Sequence, residues 1–127
     1  MSREIIKTDK TPDAIGPYSQ AVKYGNLLFV SGQVPFNKAT GKLAVGIKEQ
    51  TKQSLENLKA ILTAAGTSLQ SVLKTTVFLK NMDDFSAMND VYKEYFPQDP
   101  PARSTVEVAR IPRDSMVEIE AIAAING

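Results

Sequence analysis

The chain has no cysteine, no histidine and no tryptophan. The missing cysteine excludes disulfides and thiol nucleophiles and suits a reducing compartment. The missing histidine removes the commonest general base, the Ser–His dyad and the commonest metal ligand together. Charge of one sign is also lacking. The 15 Lys and Arg against 14 Asp and Glu leave a formal +1, so no overall field recruits nucleic acid or a membrane surface. No apolar run approaches the ~20 residues needed to cross a bilayer, and the opening MSREIIKTDK has no apolar core of signal-peptide length. A soluble, cytoplasmic protein is expected. Its 127 residues suit one domain, 1–127, with chemistry limited to Arg, Lys, Asp, Glu, Tyr, Ser, Thr or the backbone. Gly-rich phosphate loops are missing too, and Asp83-Asp84 reads as a helix N-terminus rather than a metal cluster.

What is present reads as short strands and two amphipathic helices. Gly16-Pro17 punctuates a turn running into a short strand, and Gly25-Asn26 reads as a hairpin turn. Leu27–Val30 is a continuous apolar run of the kind found in central strands, ended abruptly by Ser31-Gly32-Gln33. Pro35 to Gly46 is expected to be a loop or a weak hairpin about Thr40-Gly41. From Ile47 to Ala65, apolar residues such as Leu55, Leu58, Ile61 and Leu62 recur at helical spacing, with Gly66 where a left-handed cap belongs. Val72 to Leu79 is a β-branched strand, expected to place Leu73, Val77 and Leu79 on one face. A second helix is predicted from Asp83 as N-cap, turning Phe85, Met88, Val91, Tyr92, Tyr95 and Phe96 inward until Pro97.

The stretch from Pro100 to Ala123 holds the most chemistry. Two period-2 segments, Arg103–Ala109 and Met116–Ala123, flank the turn-forming IPRDS. Alternation sets Arg103, Thr105 and Glu107 opposite Ser104, Val106 and Val108. It likewise sets Met116, Glu118, Glu120 and Ile122 opposite the apolar Val117, Ile119, Ala121 and Ala123. Two helices cover one face of such a sheet, which gives an α+β fold with a single mixed β-sheet and both helices on one side. The uncovered face is expected to carry Arg103, Thr105, Glu118 and Glu120 with Thr76 and Phe78. Being half apolar, it is expected to pack on another copy of the chain, with a site at that contact.

Five motifs carry a resemblance: GPYSQAV (16–22), SGQVP (31–35), TTVFLKNMDDF (75–85), PPARSTVEVARIPRD (100–114) and VEIEAIA (117–123). In order and over nearly the whole chain, they resemble the RidA (YjgF) family of reactive intermediate deaminases. The resemblance implies a chorismate-mutase-like trimer fold, that is, a homotrimer with three inter-subunit clefts. For the archetypal branch, marked by the arginine matched by Arg103, it implies hydrolysis of 2-iminobutanoate and 2-iminopropanoate to 2-oxo acids and ammonia. These imines are unstable products of pyridoxal-phosphate-dependent dehydratases, so the implied role is metabolite damage control, including beside isoleucine biosynthesis. No cofactor, metal, nucleic acid or membrane is implied.

Read alone, Arg103 is an ordinary exposed strand arginine, Glu118 and Glu120 are solvated strand carboxylates, Tyr18 packs beside a turn, and Ser31 is turn chemistry. Asn89 stands out, because it lies between Phe85 and Tyr92 on an apolar helix face where an amide needs a partner. The resemblance assigns roles. Arg103 binds the substrate carboxylate through its guanidinium fork. Glu118 orients or deprotonates the attacking water, and Tyr18, Ser31, Gly32 and Asn89 line the cleft. Thr105 stands where many relatives have cysteine and is expected to act through its backbone. Glu107 and Glu120 are left as structural or inter-subunit charges. Phe29, Val34, Ile111 and Met116 are candidates for the side-chain pocket. Two other readings stay open: a regulator that binds small carboxylates without turnover, and an RNA-acting endoribonuclease or translation inhibitor. The missing histidine and basic stripe speak against the RNA reading.

Overall fold

The computed structural model describes residues 2–125. In chain order its strands are β1 (Arg3–Ile6), β2 (Ala21–Tyr24), β3 (Leu27–Gln33), β4 (Phe36–Asn37), β5 (Lys42–Leu43), β6 (Val72–Leu79), β7 (Ala102–Glu107) and β8 (Val117–Ala124). Helix α1 (Ile47–Ala64) lies between β5 and β6, and α2 (Phe85–Tyr95) between β6 and β7. Six strands form one sheet in the order β1-β2-β3-β8-β6-β7, while β4 and β5 form a small hairpin about Thr40-Gly41, the second of the two forms expected there. Among the described residues only β6 and β7 pair in parallel, and α2 makes the crossover such a pair requires.

Both helices pack on one face of this mixed sheet, as the α+β reading expects. Leu55, Leu58, Ile61 and Leu62 of α1 are fully buried against Val77, Leu79, Val117 and Ile119, each such side chain contributing about 1.5–3 kcal/mol of transfer free energy. Gly66, at φ +81°, follows the helix in the left-handed cap conformation. The start of α2 differs from expectation. Asn81, not Asp83, is the capping side chain: its Oδ1 accepts from the Asp83 N–H at 2.9 Å, and a 3₁₀ turn over Met82–Asp84 precedes the helix.

Three further points of register depart from the sequence reading. The strand β1 was not anticipated, since REII is short and half charged. Leu73 is 50 % exposed rather than facing the core, because the β6–β8 register shifts between Val72 and Lys74. The most consequential departure concerns the two faces. Thr105 stands beside Val77 and Val77 beside Ile119, both fully buried under the helices, so Thr105 and Arg103 project to the helix side. The adjacent row, Val106–Phe78–Glu118, lies on the open face. Arg103 and Thr105 therefore do not share a face with Glu118 and Glu120. Alternation fixes parity within a strand, not between strands, and β6 sits between the two segments that the sequence places in succession. At the sheet edge, polar residues can face the helix layer without full burial.

The open face is half apolar, as anticipated. Ile5, Val22, Phe29 and Ile122 align in one row across β1, β2, β3 and β8, with Ile5 49 % and Phe29 44 % exposed. No helix among the described residues is long and apolar enough to cross a membrane.

Candidate active site

The expected site residues fall into two groups. The first is gathered on the edge strand β7 by α2. Arg103 Nη1 donates to Asn89 Oδ1 at 2.8 Å, and the guanidinium carbon lies 4.7 Å from the Tyr92 ring centroid and 5.5 Å from that of Phe85. Tyr92 is itself fixed by a 2.7 Å hydrogen bond shared with Thr75 and by a tilted contact with Phe96 at 4.7 Å. Burial pushes the Tyr92 hydroxyl up from its ordinary value, partly offset by Thr75 and by the Arg103 charge, so it stays a neutral phenol. Asn89 thus finds its hydrogen-bond partner in Arg103. Most of the guanidinium's five donors remain free for an anion. Thr105 Oγ1 is buried and without a hydrogen-bond partner among the described residues. The outer edge of β7 pairs with no strand among the described residues. Glu107 is structural, its Oε1 accepting from the Met82 N–H at 2.8 Å and tying β7 to the approach to α2.

The second group lines a cleft of about 420 Å³ that includes Tyr18, Gly32, Val34, Arg113 and Glu118. Its floor is a β-bulge. The β3–β8 register shifts between Val30 and Gln33, so Ser31 and Gly32 leave the ladder. Glu118 lies directly over Gly32, where an added Cβ would stand 2.5 Å from Glu118 Oε2. Glycine is what makes room for that carboxylate. Burial, reinforced by the Glu120 charge, pushes the Glu118 carboxyl above its ordinary range, making it a stronger base that holds its proton to higher pH.

Ser31 does not present a free hydroxyl to this cleft. It donates to the Ser19 carbonyl at 2.6 Å, while its N–H donates to the Gln20 carbonyl at 3.0 Å, and so it ties down the loop bearing Tyr18. Tyr18 is 52 % exposed, with its hydroxyl accepting from the Ile15 N–H at 3.3 Å. Gln20 completes the wall and was not singled out in the sequence, although it lies inside GPYSQAV. Nearly buried, it accepts from the Thr8 N–H and donates to Thr8 O, Thr11 Oγ1 and Pro12 O at 2.8–3.1 Å. On the far side, Asn57 of α1 donates to the Val34 and Phe36 carbonyls at 3.0 Å each. Of the four side-chain pocket candidates, Val34 lines the cleft, Ile111 is buried under the turn, and Phe29 belongs to the open-face row. The Met116 N–H is held by Gln50 Oε1 at 2.7 Å.

Arg113 is a second cleft residue that sequence reasoning missed. It and Asp114 adopt φ of +63° and +53°, a left-handed conformation that costs a side-chain-bearing residue about 1–2 kcal/mol. The turn is clamped by buried Ser115, whose Oγ donates to the Pro112 carbonyl at 2.8 Å. The Arg113 guanidinium lies 4.0 Å from the Phe36 ring centroid. IPRDS reads as a turn, but the usual sign of a left-handed pair, Gly or Asn, is absent from it.

Glu118 on β8 stands two strand spacings from β7, about 10 Å, and projects to the opposite face. One chain therefore brings Arg103, Asn89 and Thr105 together, and separately Tyr18, Gly32 and Glu118, but does not bring the two sets to one small molecule. Among the described residues no group of three or more acidic side chains forms a metal-binding arrangement.

Residues 8–125 match the family model described as endoribonuclease L-PSP. A RutC family protein of Pyrococcus abyssi is 56 % identical over 97 % of this chain and 98 % of its own. TdcF of Escherichia coli K12, named provisionally as a reactive intermediate deaminase, is 46 % identical over 95 % of this chain and 96 % of its own. Among solved structures, E. coli TdcF with bound serine superposes with a TM-score of 0.93 at 45 % identity, covering 97 % of this chain and 99 % of that one. The E. coli YjgF gene product gives 0.93 at 46 %, with the same coverage.

Proposed function

The chain belongs to the RidA/YjgF family, and on that premise we propose that it is an imine deaminase hydrolysing short-chain 2-imino acids, 2-iminobutanoate and 2-iminopropanoate among them, to 2-oxo acids and ammonia. The observation that carries the reading is Glu118, a desolvated carboxylate laid over Gly32 in a cleft beside Tyr18. In this mechanism the substrate nitrogen is protonated, which makes C2 electrophilic. Glu118 takes a proton from water as the water oxygen bonds to C2, giving a carbinolamine. The same carboxyl returns that proton to nitrogen, the C–N bond breaks with its electron pair leaving on ammonia, and the C2 hydroxyl loses its proton to become the oxo group. A carboxyl pushed upward by burial suits both steps, as base and then as acid.

The substrate carboxylate needs a cation, and we assign that to Arg103, preorganised by Asn89, Phe85 and Tyr92. Since Arg103 and Glu118 lie on opposite faces, the complete site forms between copies, the β7 edge of one meeting the cleft of another. The half-apolar open face supports such an assembly, and a homotrimer with three equivalent clefts is the form we propose. The RNA-acting reading carried by the family's description has less support, because the chain has no histidine and a formal charge of only +1. The test is a threonine dehydratase reaction containing semicarbazide. The protein should lower the trapped 2-imino acid, and a folded Arg103→Ala variant should not. Unchanged trapping with the wild type would overturn the reading.

A further inference from the structure

We propose that Arg113, stacked on Phe36, is a second anion-recognising group of the cleft, and that it admits 2-imino acids whose side chain ends in a carboxylate, the four- and five-carbon 2-imino dicarboxylates. The proposal rests on the deaminase reading above and adds a substrate class to it.

Three observations support this subsite. The first is position: Arg113 lines the same cleft as Tyr18, Gly32 and Glu118. Glu118 is at the floor of the cleft over Gly32, whereas the Arg113 guanidinium lies on the Phe36 ring. That is where the end of a substrate side chain would reach, past Val34, Ile15 and Pro112, which line the same cleft. The second is availability. Asp114, its neighbour in sequence, pairs with Arg110 at 3.6 Å, and Asp13, which like Glu118 lines the cleft, pairs with Lys38 at 3.5 Å. Arg113 itself makes no ion pair among the described residues, and stacking on a ring face leaves its N–H edge free for a planar carboxylate. The third is aim. The left-handed backbone at Arg113 and Asp114 is held by Ser115 and by Gln50, and strained backbone of this kind clusters at ligand sites. Phe36 is held by the Asn57 bond to its carbonyl, so both members of the stack are anchored.

The reaction is the hydrolysis already described, with a second carboxylate on the side chain and no further reactant. Amino-acid oxidation by a flavin oxidase is the class of reaction that supplies such imines.

The experiment uses the full chain. Aspartate and glutamate oxidases with catalase generate 2-iminosuccinate and 2-iminoglutarate, threonine dehydratase generates 2-iminobutanoate, and semicarbazide traps each. The wild type should lower trapping of at least one dicarboxylic imine. Arg113→Asn, which suits the left-handed backbone, should lower dicarboxylic turnover about tenfold more than 2-iminobutanoate turnover, the scale of one charge-assisted contact. Arg113→Lys should recover part of that ratio, and Phe36→Leu should fall between. If the wild type hydrolyses 2-iminobutanoate but neither dicarboxylic imine, or if Arg113→Asn lowers all three equally, this inference fails while the deaminase reading stands. If the wild type hydrolyses none, both fail.

Discussion

Around Arg103 the positioning contacts are side chains on one helix, Asn89 at 2.8 Å and the rings of Phe85 and Tyr92, whereas around Glu118 they are main chain: the β3 bulge, Gly32 and the tied-down loop at Tyr18. The two ends also treat charge oppositely. The aromatic faces favour the Arg103 cation, while burial and Glu120 disfavour the Glu118 anion. A binding group benefits from being a settled ion. A group that must take a proton and return it benefits from being an unsettled one.

The largest effects should come from removing one end at a time. Glu118→Gln should lower kcat/KM for 2-iminobutanoate by about 10²–10⁴-fold, the range for a positioned general base, and Arg103→Ala by roughly 100-fold. Mixing these two inactive proteins under conditions that allow subunit exchange should restore activity, since some sites would combine an intact Arg103 from one chain with an intact Glu118 from another. Lack of restoration despite verified exchange would place both ends in one protomer.

Gly32→Ala sharpens the main-chain side. The three atoms nearest the intruding Cβ, at 2.5–3.0 Å, all belong to the Glu118 side chain from Cγ outward, which can turn away. The melting temperature should therefore change little while kcat falls roughly tenfold through misplacement of the base. A large loss of stability with no selective loss of kcat would refute that role.

Smaller effects should appear in pH dependence. Glu120→Gln removes the charge that helps hold the Glu118 proton, so the acid limb of kcat/KM should move to lower pH. An unmoved limb would mean that another group sets it. In stability the sign runs the other way. A carboxyl with higher proton affinity folded than unfolded binds more protons in the native state between its ordinary and raised values, so stability falls as pH rises through that window. Glu118→Gln should melt above the wild type at pH 7, and the gap should close below the ordinary carboxylate range.

Much of the architecture is legible in the sequence. The repeat of Leu55, Leu58, Ile61 and Leu62 marks α1, and Val117, Ile119, Ala121 and Ala123 mark the buried face of β8. What the sequence does not carry is how strands relate to one another. The insertion of β6 between β7 and β8 depends on a parallel pairing that no local pattern records, so Arg103 and Glu118 look like neighbours and are not. Asn89 was legible as an anomaly because an amide on an apolar helix face demands a partner, and that partner is Arg103. Arg113 was not, because its turn has neither Gly nor Asn to mark a left-handed backbone, and the Gln50 contact that fixes the following Met116 comes from a helix distant in sequence.

The parallel pairing of β6 and β7 also bears on the order in which the molecule can assemble. Thr75, Phe85, Asn89, Tyr92 and Arg103 all fall within one short β6–α2–β7 excursion, so their contacts close a modest loop. The cleft instead joins Pro12 and Tyr18 to Glu118, near opposite ends of the chain. Each doubling of loop length adds about 0.6 kcal/mol of closure entropy, and non-local contacts form late in folding. A refolding chain should therefore bury Tyr92 and shape its arginine end before the cleft exists, and chains with only the first end complete should accumulate ahead of any that can turn over substrate.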